Sequence, residues 1–113
     1  MINFRNQSSI TNAPSVNITV KGTDVRYLNI VNRHSAIIWV KFYDSPTATF
    51  QDTPFKTFQV AANGSITVGW VSNTNDTIFS SSNGLCVRAT TGATDSDNTA
   101  PGSLPIVELT YAF

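Results

Sequence analysis

One imidazole and one thiol, His34 and Cys86, stand among seven carboxylates and seven Lys or Arg side chains. Acid–base or nucleophilic catalysis needs a reactive group with a partner that tunes it. His34 lies in the polar connection Asn32-Arg-His-Ser35, where a histidine is solvated or makes a local hydrogen bond. Cys86 alternates with Leu85 and Val87 and so faces away from them, as a small half-buried side chain does. Ser80-Ser-Ser82 lacks the strand–turn–helix setting of a hydrolase nucleophile. A zinc site cannot be built from one His and one Cys alone. Glu108 has no second acid near it in sequence, which leaves a glycosidase pair without support. The residues point away from an enzyme, and no cofactor is expected.

Asp95 and Asp97 form the one carboxylate pair with metal-like spacing, followed by Asn98 and Thr99. Oxygen ligands of this kind suit calcium, a hard cation. Against it, the loop has neither a downstream bidentate Glu nor a Gly at the sharp-turn position. The plainer expectation is an Asx-type turn, in which each carboxylate caps nearby backbone N–H groups.

The aromatic residues say more. Ile38, Val40 and Phe42 share one face of a strand, and Trp39, Lys41 and Tyr43 share the other. Both faces are largely apolar, yet a two-layer sandwich has only one core. The second face therefore needs a cover: another subunit, a loop of the same chain, or a sugar stacked on an aromatic platform. Aromatics are enriched at protein interfaces. Trp39 and Tyr43 are accordingly interface candidates.

The elements that must position these residues follow a period of two. Val16, Ile18 and Val20 alternate with polar residues, as do Ile66, Val68 and Trp70, and Leu85, Val87 and Ala89. Phe58 pairs with Val60, and Val107, Leu109 and Tyr111 share a face in the last run. Arg26–Val31 and Thr77–Ser80 supply two more short runs. Lys21-Gly-Thr-Asp24, Asn63-Gly64 and Asn83-Gly84 read as turns, the second of a kind favoured in tight hairpins. No stretch has helical spacing over three turns. The expectation is an all-β, antiparallel sandwich of about seven or eight strands, jelly-roll-like in its winding.

Residues 15–113 are expected to form this domain. Residues 1–14 stand apart, with Ile2, Phe4 and Ile10 isolated among polar residues before Pro14. They read as a frayed end or first edge strand, or as an arm that adds a strand to a neighbouring subunit. On the second reading Ile2, Phe4 and Ile10 are interface residues. Residues 92–104 form a long polar loop, of a length that is often functional or mobile.

The 113 residues suit one domain. Formal charge is zero, which argues against nucleic-acid and anionic-membrane partners. Charged residues make up 12% of the chain, about half the usual share, and Ser, Thr and Asn take their place. A single cysteine allows no intrachain disulfide. No apolar run approaches the roughly 20 residues of a membrane span, and the first residues lack the apolar region of a signal peptide. Synthesis in a cytoplasm is the expectation.

Several stretches in residues 25–113 carry a resemblance. They are Tyr27-Leu-Asn-Ile-Val-Asn32, Val40-Lys-Phe-Tyr43, Asp52-Thr-Pro54 with Thr57-Phe-Gln-Val60, Asn63-Gly-Ser65 and Asn83-Gly-Leu85. The last is Ala93-Thr-Asp-Ser-Asp-Asn-Thr-Ala100 leading to Val107-Glu-Leu-Thr-Tyr111. In this order they resemble a family of small structural proteins of tailed bacteriophages and prophages. The first 24 residues lie outside the match. The resemblance implies a virion component with a β-sandwich fold, such as a capsid decoration (cement) protein or a small tail-associated protein, and no catalytic motif. The leading expectation is a homotrimer on the capsid surface that clamps the major capsid protein. The alternative is a tail, baseplate or fibre module that binds another tail protein or a host glycan.

Overall fold

Nearly every period-two run becomes a strand. The computed structural model describes residues 2–6, 16–69 and 77–113, the first group by backbone alone. The described residues form nine strands: β1 (Ile2–Asn6), β2 (Val16–Thr19), β3 (Thr23–Val31), β4 (Ile38–Tyr43), β5 (Lys56–Val60), β6 (Ser65–Gly69), β7 (Phe79–Ser81), β8 (Leu85–Thr90) and β9 (Ile106–Ala112). The described residues contain no helix. Trp70 and Ile10 lie outside the described residues.

The strands form two antiparallel sheets. Sheet A has the order β1-β9-β3-β6, with β7 beside the first residues of β3. Sheet B has the order β2-β8-β4-β5. Between them lies a core of Val25, Leu28 and Ile30 from β3, Val107, Leu109 and Tyr111 from β9, Ile38, Val40 and Phe42 from β4, and Leu85, Val87 and Ala89 from β8. Phe79 sits among three other rings, with centroids 5.2 Å from Phe42, 5.6 Å from Phe55 and 6.2 Å from Phe58. Offset and edge-on rings at this spacing gain about 0.5–1.5 kcal/mol per pair beyond their buried area.

Two register shifts explain departures from strict alternation. Val25 and Leu28 both point inward although they are three apart. The ladder to β9 slips between Val25 and Tyr27, so Arg26 is an extra residue and the pleat resumes in phase. In β2 the ladder to β8 slips between Asn17 and Thr19. Thr19 then turns inward and its hydroxyl meets that of Thr23 at 2.7 Å. The expected inward Val20 is instead 73% exposed.

Most connections cross between the sheets. Only β4 to β5 and β6 to β7 stay within one. The Asn63-Gly64 turn forms, with Asn63 at a φ of 54°, but it joins β5 of sheet B to β6 of sheet A. It is a corner and not the hairpin its sequence suggests, because turn chemistry fixes the local backbone and not which sheet the next strand enters. Asn32 holds this corner. Its side chain is 1% exposed, and Nδ2 donates to the carbonyls of Ala36 (2.9 Å), Ala61 (2.9 Å) and Val60 (3.3 Å). Its Oδ1 accepts the His34 N–H, and its own N–H donates to Gly64 O. At the other end, Asp44 Oδ1 accepts the N–H groups of Ser82 (2.9 Å) and Asn83 (2.7 Å). Gly84, at φ +150°, passes so close that a Cβ there would lie 2.7 Å from Pro46 N.

Asn32→Ala strands buried carbonyls and is expected to cost about 2–3 kcal/mol in denaturant unfolding. Asn32→Asp at neutral pH is expected to cost more, because a carboxylate then faces carbonyl oxygens. That excess over Asn32→Ala should shrink on acidification to about pH 4 as the new carboxyl takes up a proton. An excess that did not change with pH would contradict this account of the corner.

Candidate binding surfaces

The sandwich has two outer faces, and they differ. On sheet B, register places Trp39 beside Thr90, Lys41 beside Arg88 and Tyr43 beside Cys86. Lys41, Arg88 and Thr90 are 0% exposed, and Tyr43 and Cys86 are 1% exposed. Like charges directly opposite across a ladder repel, and burying either cation costs free energy unless it finds oxygen partners. The loop after β8 supplies them. Lys41 Nζ donates to Thr94 O at 2.6 Å and Gly92 O at 3.3 Å. Arg88 Nη2 donates to Asp97 O at 3.2 Å and Asp95 O at 3.4 Å, and Nη1 to Asn98 Oδ1 at 3.4 Å. Arg88 Nε donates to the Tyr43 phenol oxygen at 2.9 Å, and Thr90 Oγ1 donates to Gly92 O at 2.9 Å. Ala48, from the loop between β4 and β5, packs with Tyr43 and Cys86.

This geometry sets the acidities. Burial pushes the Lys41 ammonium below its usual pKa, and the Arg88 charge adds to that, while Asp97 and Asp95 oppose it. Burial pushes the Tyr43 phenol up, against the Arg88 hydrogen bond and charge.

The expected roles of this face are corrected accordingly. Tyr43 is covered by its own chain and is closed to a partner. Trp39 remains half-buried. Of the calcium candidates Asp95 and Asp97, the second is engaged by its own loop. The Asp97 carboxylate accepts the N–H groups of Gly92 (3.0 Å) and Thr99 (3.2 Å) and the Thr99 hydroxyl (3.4 Å). A Cβ at Gly92 would collide with that carboxylate. Among the described residues no group of three His, Cys, Asp or Glu side chains gathers as a metal site. Asp97 acts as the Asx-type clasp that closes the loop, with Thr91 N–H donating to Thr99 O at 3.0 Å; Asp95 contributes its backbone carbonyl to Arg88. His34 uses its backbone in the Asn32 corner, accepting from Asn63 N–H at 3.0 Å.

Sheet A presents a more open outer face. Tyr27, Asn29 and Val31 of β3 and Ile106 and Glu108 of β9 are half-buried, and Ser65 and Thr67 of β6 are exposed. Register lines up Asn29 with Glu108 on one side and Thr67 on the other, and Val31 with Ile106 and Ser65. Thr67 Oγ1 donates to Asn29 Oδ1 at 2.9 Å, and the Tyr27 hydroxyl donates to Glu108 Oε1 at 3.5 Å. Burial raises the Tyr27 pKa, with the Glu108 charge and hydrogen bond adding to it. The alternation of polar and apolar residues signalled this face, but nothing in it singled out these side chains over other outward ones. Ile2 and Phe4 lie in β1, at register positions opposite Tyr111 and Leu109 of the same chain.

Comparisons with protein-family models, with curated proteins and with solved structures return no match. The phage resemblance thus rests on the sequence motifs alone.

Two measurements test this account of the two faces. In a tyrosinate absorbance titration, Tyr27 and Tyr43 should ionise above their usual pKa of 10.0, and Tyr27→Phe and Tyr43→Phe should each remove one late component. The raised Tyr43 pKa stabilises the fold below pH 10 and is lost as pH rises through its folded value. Lys41 acts with the opposite sign, its burial penalty shrinking as pH climbs towards its usual 10.5. Arg88→Met should cost about 2–4 kcal/mol and speed hydrogen exchange at Thr91 and Gly92 before β3 or β9. Unchanged protection there would mean that Arg88 does not hold the loop.

Proposed function

We propose that this protein is a capsid decoration protein, which binds the assembled shell of a major capsid protein and stabilises it. The observation that carries the reading is the contrast between the two outer faces. The central strands of sheet B are covered by the chain's own loop, while the central strands of sheet A offer a half-open pleated surface of amide, hydroxyl and aliphatic groups with Tyr27 and Glu108 among them. Such a surface suits broad contact with another protein. The winding supports the same reading. With β7 set aside, the orders β1-β9-β3-β6 and β2-β8-β4-β5 fit two interlocked Greek keys, the jelly roll used by capsid and lectin domains. The sequence motifs that resemble phage virion proteins agree with it. The protein would be made in a host cytoplasm and reside on the virion surface.

Binding only the assembled shell stabilises it by mass action, by about 2.7 kcal/mol per site at one hundred times Kd. A homotrimer raises the effect through avidity, since later contacts form at high effective concentration. Asn29, Val31, Thr67 and Ile106 are the proposed contacts.

A second reading has its own observation. Tyr27 lies beside Glu108 and Asn29 on the same face, an aromatic with an acid and an amide, which is what a glycan site on a tail or fibre module needs.

Co-sedimentation with intact capsids tests the proposal. Thr67→Arg changes an exposed side chain and should leave stability within about 0.5 kcal/mol while lowering capsid binding at least tenfold. Trp39→Ala should leave binding unchanged. Loss with Trp39→Ala alone moves docking to the rim of sheet B. No binding to capsids, with glycan-array binding that Tyr27→Ala abolishes, selects the second reading.

A further inference from the structure

Among the described residues β1 is an edge strand with a single neighbour, β9, to which it pairs through five register partners from Ile2↔Tyr111 to Asn6↔Val107. On its other side β9 is held by β3, so the sandwich core does not depend on which molecule supplies β1. The connection from β1 in sheet A to β2 in sheet B spans residues 7–15, nine residues. The crossings at 20–22 and 82–84 join the same two sheets with three residues each. Nine residues can reach about 30 Å; the crossing has to cover roughly 10 Å between packed sheets and, because β2 starts beside Val87 and not beside Thr90, about 10 Å along the strands. The long 91–105 crossing uses its extra length to cover Lys41 and Arg88. The length of 7–15 exceeds the span it has to cover.

We infer that β1 is an exchanged strand: in assemblies of this protein it pairs with β9 of a neighbouring copy, making the ladder it makes within its own chain. Exchange of an identical element costs no ladder hydrogen bonds, so local concentration decides between the two pairings. Dilute protein keeps β1 on its own β9, and crowding of copies shifts β1 outward. The inference does not depend on which particle or ligand the protein binds.

Disulfide trapping tests it. In a Cys86→Ala background, Asn3→Cys and Thr110→Cys are made in separate chains, since these residues are register partners. Mixed and oxidised, the two chains should form a covalent heterodimer, minor at ~10 μM and dominant near ~1 mM, the effective concentration of a short tether. A double variant that gives only the internal disulfide at ~1 mM, with no heterodimer from the mixture, overturns the inference. The unaltered chain gives an independent readout by light scattering. Oligomers should form at high concentration and dissociate when a synthetic peptide of residues 1–6 is added in excess. A chain that stays monomeric at ~1 mM, or oligomers indifferent to the peptide, likewise overturns it.

Discussion

Two cations placed opposite each other on adjacent central strands govern much of this architecture. Lys41 and Arg88 are cross-strand neighbours with no exposure to water. Left bare, they would keep the outer face of sheet B solvated. The loop after β8 turns its carbonyls onto them instead, and Asp97 turns its carboxylate back to pin that loop. One polar arrangement therefore replaces a second apolar layer. It makes β4 and β8 buried on both sides, which a two-layer sandwich does not otherwise require. It also leaves sheet A as the more open pleated face, and the functional reading follows from that asymmetry.

The crossings between sheets are fixed by side chains as much as by turns. Asn32 gathers three carbonyls, two from connections and one from the end of β5, into one buried knot. Asp44 does the same for two amides at the opposite end. In both places a short side chain with fixed geometry satisfies backbone groups that no ladder can reach. The chain's richness in Asn, Ser and Thr is thus partly a consequence of its winding, which needs many corners.

The strands were legible in the sequence because alternation reports a half-buried pleat directly. Val107, Leu109 and Tyr111, and Leu85, Val87 and Ala89, take the inward positions their spacing predicts. What alternation cannot report is a one-residue slip, so Val20 was misplaced and the inward phase of Val25 could not be foreseen. Turn chemistry located the corner at Asn63-Gly64 but not the sheet it leads to. The apolar second face of β4 was visible in Trp39 and Tyr43. Which of the possible covers it takes was not, because the loop after β8 holds it mainly through backbone carbonyls of residues 92–97, which carry no side-chain signature. The open face of sheet A was the least legible part, being made of residues unremarkable one by one and meaningful only through register.

The shielding of Cys86 has a practical consequence. Its sulfur lies beneath Ala48 and beside the Tyr43 ring, with Asn17 Nδ2 at 3.7 Å. A thiol so enclosed stays silent towards maleimides and oxidants while the sandwich is shut. The chain therefore carries a natural chemical gauge of its own breathing, in which the labelling rate reads how often the sheet B layer parts from the segments above it.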